Sequence, residues 1–160
     1  MTTKCPACEK PKYLRSKKQH GRLFVVCAEA FKQWPADHDF QPANEDHLRY
    51  FLEMQAGLYD VALTYRPDKM KASDIAVLLE TMLKAIAMAN PKIDTKDKVF
   101  IEPSVGPRGK TQVVVKVTRS IAWLALSQDD FSALSSAVYD VLYAHGFDHN
   151  VLLAEKDKAA

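Results

Sequence analysis

Leu58-Tyr59-Asp60-Val61-Ala62-Leu63-Thr64-Tyr65-Arg66-Pro67 decides how the larger part of this chain is read. Apolar and polar residues alternate along it. Tyr59, Val61, Leu63 and Tyr65 are assigned to one face, and Asp60, Ala62, Thr64 and Arg66 to the other. That period of two is the pattern of a half-buried strand. Downstream, Ser73 stands ahead of Ile75, Leu78, Leu79, Met82 and Ile86, a helical apolar face that Asn90-Pro91 ends. Lys98 to Glu102 reads as a short strand. Thr111 to Thr118 reads as a β-branched one, with Gly106-Pro107-Arg108-Gly109 as the hairpin loop between them. Ser127 with Asp130 starts a second helix carrying Phe131, Leu134, Val138, Val141 and Leu142, and Gly146 stops it. Asn150 to Ala154 completes the order as a last strand. The resulting β-α-β-β-α-β order is the ferredoxin-like arrangement. Upstream, Asn44 caps a short helix with Leu48, Phe51 and Leu52 on one face, stopped by Gly57.

The chain has 160 residues, 48% hydrophobic and 26% charged, which is ordinary globular usage. No apolar run reaches the roughly 20 residues of a membrane span, and the first residues carry no apolar leader. A cytoplasmic protein without a membrane partner is therefore expected. Charge is unevenly distributed. Residues 1–44 hold eight basic side chains against four acidic ones, whereas residues 45–160 hold 14 basic and 16 acidic. A basic head suits phosphate or an acidic surface; a solvated basic loop is the plain alternative. Pro35, Pro42 and Asn44 mark the passage between head and body. The expected domains are thus 1–44 and 45–160.

All three cysteines, Cys5, Cys8 and Cys27, lie in the head. An odd count in a reducing compartment, with a Cys-x2-Cys pair around Pro6, points to a metal rather than to disulfides. Structural zinc takes four N or S ligands. Cys5 and Cys8 supply one knuckle and Cys27 a third ligand. His38, 11 residues beyond Cys27, is preferred over His20 as the fourth on ribbon geometry, since His20 falls at a hairpin tip beside Gly21. One structural Zn2+ is expected.

Lys4-Cys5-Pro6-Ala7-Cys8, Leu14-Arg15-Ser16-Lys17 and Gly21-Arg22-Leu23-Phe24-Val25-Val26-Cys27 resemble the zinc ribbons at the C-termini of type IA topoisomerases. They are also similar to GRF-type zinc fingers. His38 stands where those families carry their last cysteine. The resemblance covers about 40 residues and implies a grip on single-stranded nucleic acid, DNA or RNA. Lys10, Lys12, Arg15, Lys17, Lys18 and Arg22 would follow phosphates, and Tyr13 and Trp34 would stack on bases. Phe24 is assigned to the small core under the metal.

Other motifs point nowhere further. Ser104 to Thr111 imitates a P-loop but precedes a strand, so no helix N-terminus can cradle a phosphate. His145, Asp148 and His149 gather at a helix end, but Gly146 separates the histidines, and dipole complementarity explains His145. No nucleophile, base or carboxylate pair is readable, so an enzyme is not expected. The expected fold class is α+β: an N-terminal zinc ribbon followed by a ferredoxin-like domain. The expected function is a zinc-dependent, nucleic-acid-binding accessory protein. The alternative is a protein-binding regulator of a nucleic-acid enzyme such as a polymerase or nuclease. An exposed Trp34 beside a basic stripe would favour the first; an exposed apolar patch on the body would favour the second.

Overall fold

A computed structural model describes residues 17–66, 70–89, 97–119, 121 and 126–159. The chain divides into two compact units. One comprises residues 1–45 with 120–160, the other residues 46–119. One division falls beside the expected passage at residue 44; the second, at 119–120, had no signal in the sequence.

The first unit is helical. Its helices are α1 (Lys17–Lys32), α4 (Gln128–Ala144) and α5 (His149–Ala159). Leu23, Val26, Cys27 and Ala30 are buried on α1. Their spacing is one stripe of a 3.6-residue helix. The stretch Gly21 to Cys27 is therefore helical. His20 is not at a hairpin tip: it lies on α1, with its ring 4.9 Å from Phe24 and 5.4 Å from Phe131. Phe24, assigned to the core, is 36% exposed. Phe131, Leu134, Val138 and Leu142 form the buried stripe of α4. The Ser127 hydroxyl caps this helix by accepting the Asp130 N–H at 3.1 Å. At its other end Gly146 takes φ 89°, Phe147 N–H donates to Leu142 O and Gly146 N–H to Tyr143 O, both at 2.9 Å. This paired C-cap needs a left-handed residue, which glycine supplies without steric cost.

The expected final strand at 150–154 is a helix. Asp148 starts α5: its carboxylate accepts the Asn150 N–H at 2.8 Å, and its carbonyl accepts the Leu152 N–H at 3.0 Å. Leu152 is buried in the same core, and α5 packs against α1 and α4.

The second unit carries α2 (Glu45–Gln55), β1 (Tyr59–Tyr65), α3 (Ala72–Ala89), β2 (Val99–Val105) and β3 (Thr111–Thr118). Its sheet is three-stranded and antiparallel, in the order β1-β3-β2. Three strands cannot make the four-stranded ferredoxin-like sheet, and the fourth expected strand is α5 of the other unit. Among the described residues no three His, Cys, Asp or Glu side chains converge as a zinc ribbon requires. Both halves of the expected fold are thus corrected; the α+β character remains.

The alternation of β1 is also corrected. Tyr59, Asp60 and Val61 pair with Thr118, Val117 and Lys116, but Leu63, Thr64 and Tyr65 pair with Val115, Val114 and Val113. The register slips at Ala62. One inserted residue switches the face of everything after it. Tyr59 and Val61 therefore share a face with Lys116, and Leu63 and Tyr65 lie on the opposite face with Val113 and Val115. On the Lys116 side α2 covers β2 through Phe51 and His47, whose rings lie 6.2 and 6.0 Å from Phe100. α3 packs against β2 and β3.

Candidate functional site

The most organised constellation of the first unit lies at the end of α4 and on the segment after α1. Trp34, His38, His145 and Phe147 form an aromatic cluster. Trp34 is stacked on Phe147 at 5.6 Å and 7°, and its ring lies 4.7 Å from His38 and 5.4 Å from His145. The Trp34 indole N–H donates to Phe40 O at 2.9 Å. Pro35 stops α1 and turns the chain, so that Phe40 can meet His38.

The tautomers follow from that turn. Phe40 N–H donates to His38 Nδ1 at 2.9 Å. A ring nitrogen that accepts carries no proton, which places the His38 ring proton on Nε2. His38 Nε2 lies 3.1 Å from His145 Nδ1 and donates to it. The two imidazoles thus meet edge to edge across 107 residues of sequence. Burial, reinforced by the neighbouring His38, holds His145 below the usual imidazole value. The Schellman turn at Gly146 ends α4 beside His145 and directs the chain to Phe147, which is how a helix end takes part in the cluster.

Of the nucleic-acid candidates, Trp34 stands in this cluster. Arg22 is exposed on α1 and lines a cavity of about 220 Å³ with Gln19, Ser132, Tyr139 and His149. There Tyr139 and His149 stack at 4.2 Å and 1°. Burial raises the Tyr139 phenol, with Arg22 acting in the other direction. Lys17 and Lys18 open α1. Cys5, Cys8, Lys10, Lys12, Tyr13 and Arg15 lie outside the described residues. Of the expected zinc ligands, Cys27 is 2% exposed on the core stripe of α1. It does not join His38 and His145 in a metal-capable group. His38 and His145 are brought together instead, and His149 is turned away onto Tyr139. Sequence reading found each histidine but not the pairing, because no local signal connects positions so far apart.

The second unit presents a different surface. Val61, Leu63 (47% exposed) and Tyr65 (48%) are exposed on β1. Val77 (63%), Leu78 and Met82 are exposed on α3. Leu78 and Met82 belonged to the expected buried face of that helix, but of that face Ile75 is buried and Leu79 half-buried. β1 is also an edge strand of the described sheet, its ladder running to β3. An edge strand with large apolar side chains on both faces is a template for another chain. The hairpin loop places Arg108 at φ 63° and, with Lys110, beside Arg66 around an open depression. Inside the unit, Glu53 is fully buried on α2. Arg49 donates to its Oε1 at 2.8 Å, and Asp46 receives the other arm of the guanidinium at 3.0 Å. Burial outweighs Arg49 and pushes the Glu53 carboxyl up to about 7.

No family model, no curated protein and no solved structure matches the chain. Among the described residues no helix is long and apolar enough to cross a membrane.

Proposed function

We propose that this chain is a protein-binding regulator that docks a partner protein on the second unit. The observation that carries this reading is the apolar exposure of β1 and α3, with Leu63, Tyr65, Val77, Leu78 and Met82 all turned to solvent. Large apolar side chains left exposed on one unit mark interaction sites. The open edge of β1 adds a mode: a partner segment can extend the sheet by main-chain hydrogen bonds, while its side chains meet Leu63 and Tyr65. The basic head is consistent with a partner that works on nucleic acid. Trp34 supports the competing grip on nucleic acid less well, because its ring is stacked on Phe147 and its N–H is committed to Phe40.

The test uses the intact chain with a photo-crosslinking residue at Leu63, in the cells where the protein is made. The captured protein is then purified and titrated against the wild type and against Leu78→Asp and Leu63→Asp. Saturable binding that both variants weaken about tenfold or more, as for an interface anchor worth over 1 kcal/mol, supports docking. Anisotropy with a labelled single strand examines the competitor. A log–log salt slope of about −3, expected for four phosphates, unaffected by either variant and without any crosslinked protein, refutes the docking reading.

A further inference from the structure

α4 carries a second stripe beside its buried one. Ser132, Ser135, Ser136 and Tyr139 repeat at i, i+3, i+4 and i+7, so they share one face of the helix. Gln19 and Arg22, three apart on α1, and His149 at the start of α5 meet that face around the cavity of about 220 Å³.

The lining of this cavity is rich in hydrogen-bond donors and includes no Asp or Glu. Among the described residues no carboxylate forms an ion pair with the Arg22 guanidinium. The Gln19 carbonyl accepts from the Gln128 amide at 2.5 Å, so the end left for the cavity is its NH2. Burial raises the Tyr139 phenol, which keeps that hydroxyl a donor at neutral pH. Ser135 Oγ is buried and has no hydrogen-bond partner. A buried hydroxyl left unpaired is costly, and an oxygen bound in the cavity would pair it. Ser132, by contrast, is committed: it donates to Gln128 O at 2.9 Å and accepts from Gln128 Nε2 at 3.1 Å. Asp148 lies 4.0 Å from His149 Nδ1, but the same carboxylate oxygen accepts the Asn150 N–H.

One cation and several neutral donors, with no carboxylate facing them, suit an oxyanion. Donors drawn from two helices match the four tetrahedral oxygens of a phosphate better than the two coplanar oxygens of a carboxylate. A cavity of about 220 Å³ is smaller than the ~300–1,000 Å³ of most ligand pockets, so its occupant is small. We propose that the cavity beside α1, α4 and α5 binds a phosphate group, as inorganic phosphate or a small phosphate monoester. Arg22 carries its charge, and Gln19, Ser135 and Tyr139 donate to its oxygens. The site lies wholly within the first unit, so it stands or falls separately from docking on the second.

Calorimetric titration of the intact chain with inorganic phosphate, ethyl phosphate and acetate, at constant ionic strength, tests this. Saturable one-to-one binding of a phosphate is expected at about 1 mM or tighter, with acetate at least about tenfold weaker. The tighter of the two phosphates identifies the source as the free ion or a monoester. Arg22→Gln, at an exposed position on α1, should weaken binding about tenfold or more, as for a lost charge-assisted hydrogen bond. Tyr139→Phe keeps an aromatic ring against His149 and should weaken binding about threefold or more. Lys32→Gln removes a charge from the far end of the same helix, about 15 Å along its axis. That exceeds the screening length of about 8–10 Å, so the affinity should change less than about twofold. Circular dichroism of each variant separates lost binding from lost structure. The proposal is overturned if neither phosphate saturates by about 10 mM, or if acetate binds as tightly as both. It is also overturned if folded Arg22→Gln binds like the wild type, or if Lys32→Gln weakens binding as much as Arg22→Gln.

Discussion

Replacing Glu53 by Gln should change how stability depends on pH. The Glu53 side chain is fully buried, and its Oε1 accepts from Arg49 while its Oε2 has no hydrogen-bond partner. Burial raises its carboxyl from 4.5 to about 7; Arg49 and, more weakly, Lys98 oppose the rise, and Asp46 adds to it. Between those two values the folded chain holds a proton that the unfolded chain has released. The contribution of Glu53 to stability is therefore fullest below about 4.5 and is lost as pH rises toward 7. The shift from 4.5 to about 7 corresponds to about 3 kcal/mol at 1.36 kcal/mol per unit. Glu53→Gln keeps an oxygen for Arg49 and removes the ionisation. Urea unfolding followed by circular dichroism at pH 5 and pH 8 measures both proteins. The wild type should lose up to about 3 kcal/mol more than the variant between these pH values. Other titrating groups cancel in that difference. Equal pH dependence in both proteins, or a wild type that gains more than the variant, would refute the reasoning; it would mean that Arg49 governs the carboxyl and burial does not.

Two further substitutions probe the parts of the first unit that differ from expectation or confirm it. Leu23→Ala removes a fully buried side chain from the stripe of α1 and should cost about 2–5 kcal/mol in thermal or urea unfolding; a change below about 0.5 kcal/mol, typical of a surface site, would count against α1 as a core helix. Gly146→Ala puts a Cβ at φ 89° with no atom within 4 Å of it, so the cost is backbone strain alone. It should be about 1 kcal/mol, and a stabilised variant would show that α4 ends in another way.

Where local rules are sufficient, the sequence alone was enough. The Ser127 cap, the buried stripe Phe131, Leu134, Val138 and Leu142, the glycine stop at 146 and the hairpin between β2 and β3 all depend on residues within a few positions of each other. The same holds for Gly57, which ends α2 at φ 90°. The candidate site was half legible. His38 was singled out and His145 weighed, but their contact is a property of the packed unit.

Tertiary structure decided the rest. Leu23 to Val26 is a short apolar run that suits a strand or a helix equally. Only packing, which buries Leu23, Val26, Cys27 and Ala30 together, selects α1. Asn150 to Ala154 is similarly ambiguous until Asp148 caps it and Leu152 enters the core. The slip at Ala62 leaves no mark in an alternating sequence, because a bulge is set by the partner strand. It nevertheless determines which side chains β1 presents to a partner. Local periodicity names the elements; the distant contacts that bury one face and leave another exposed are what place the histidine pair and the apolar surface.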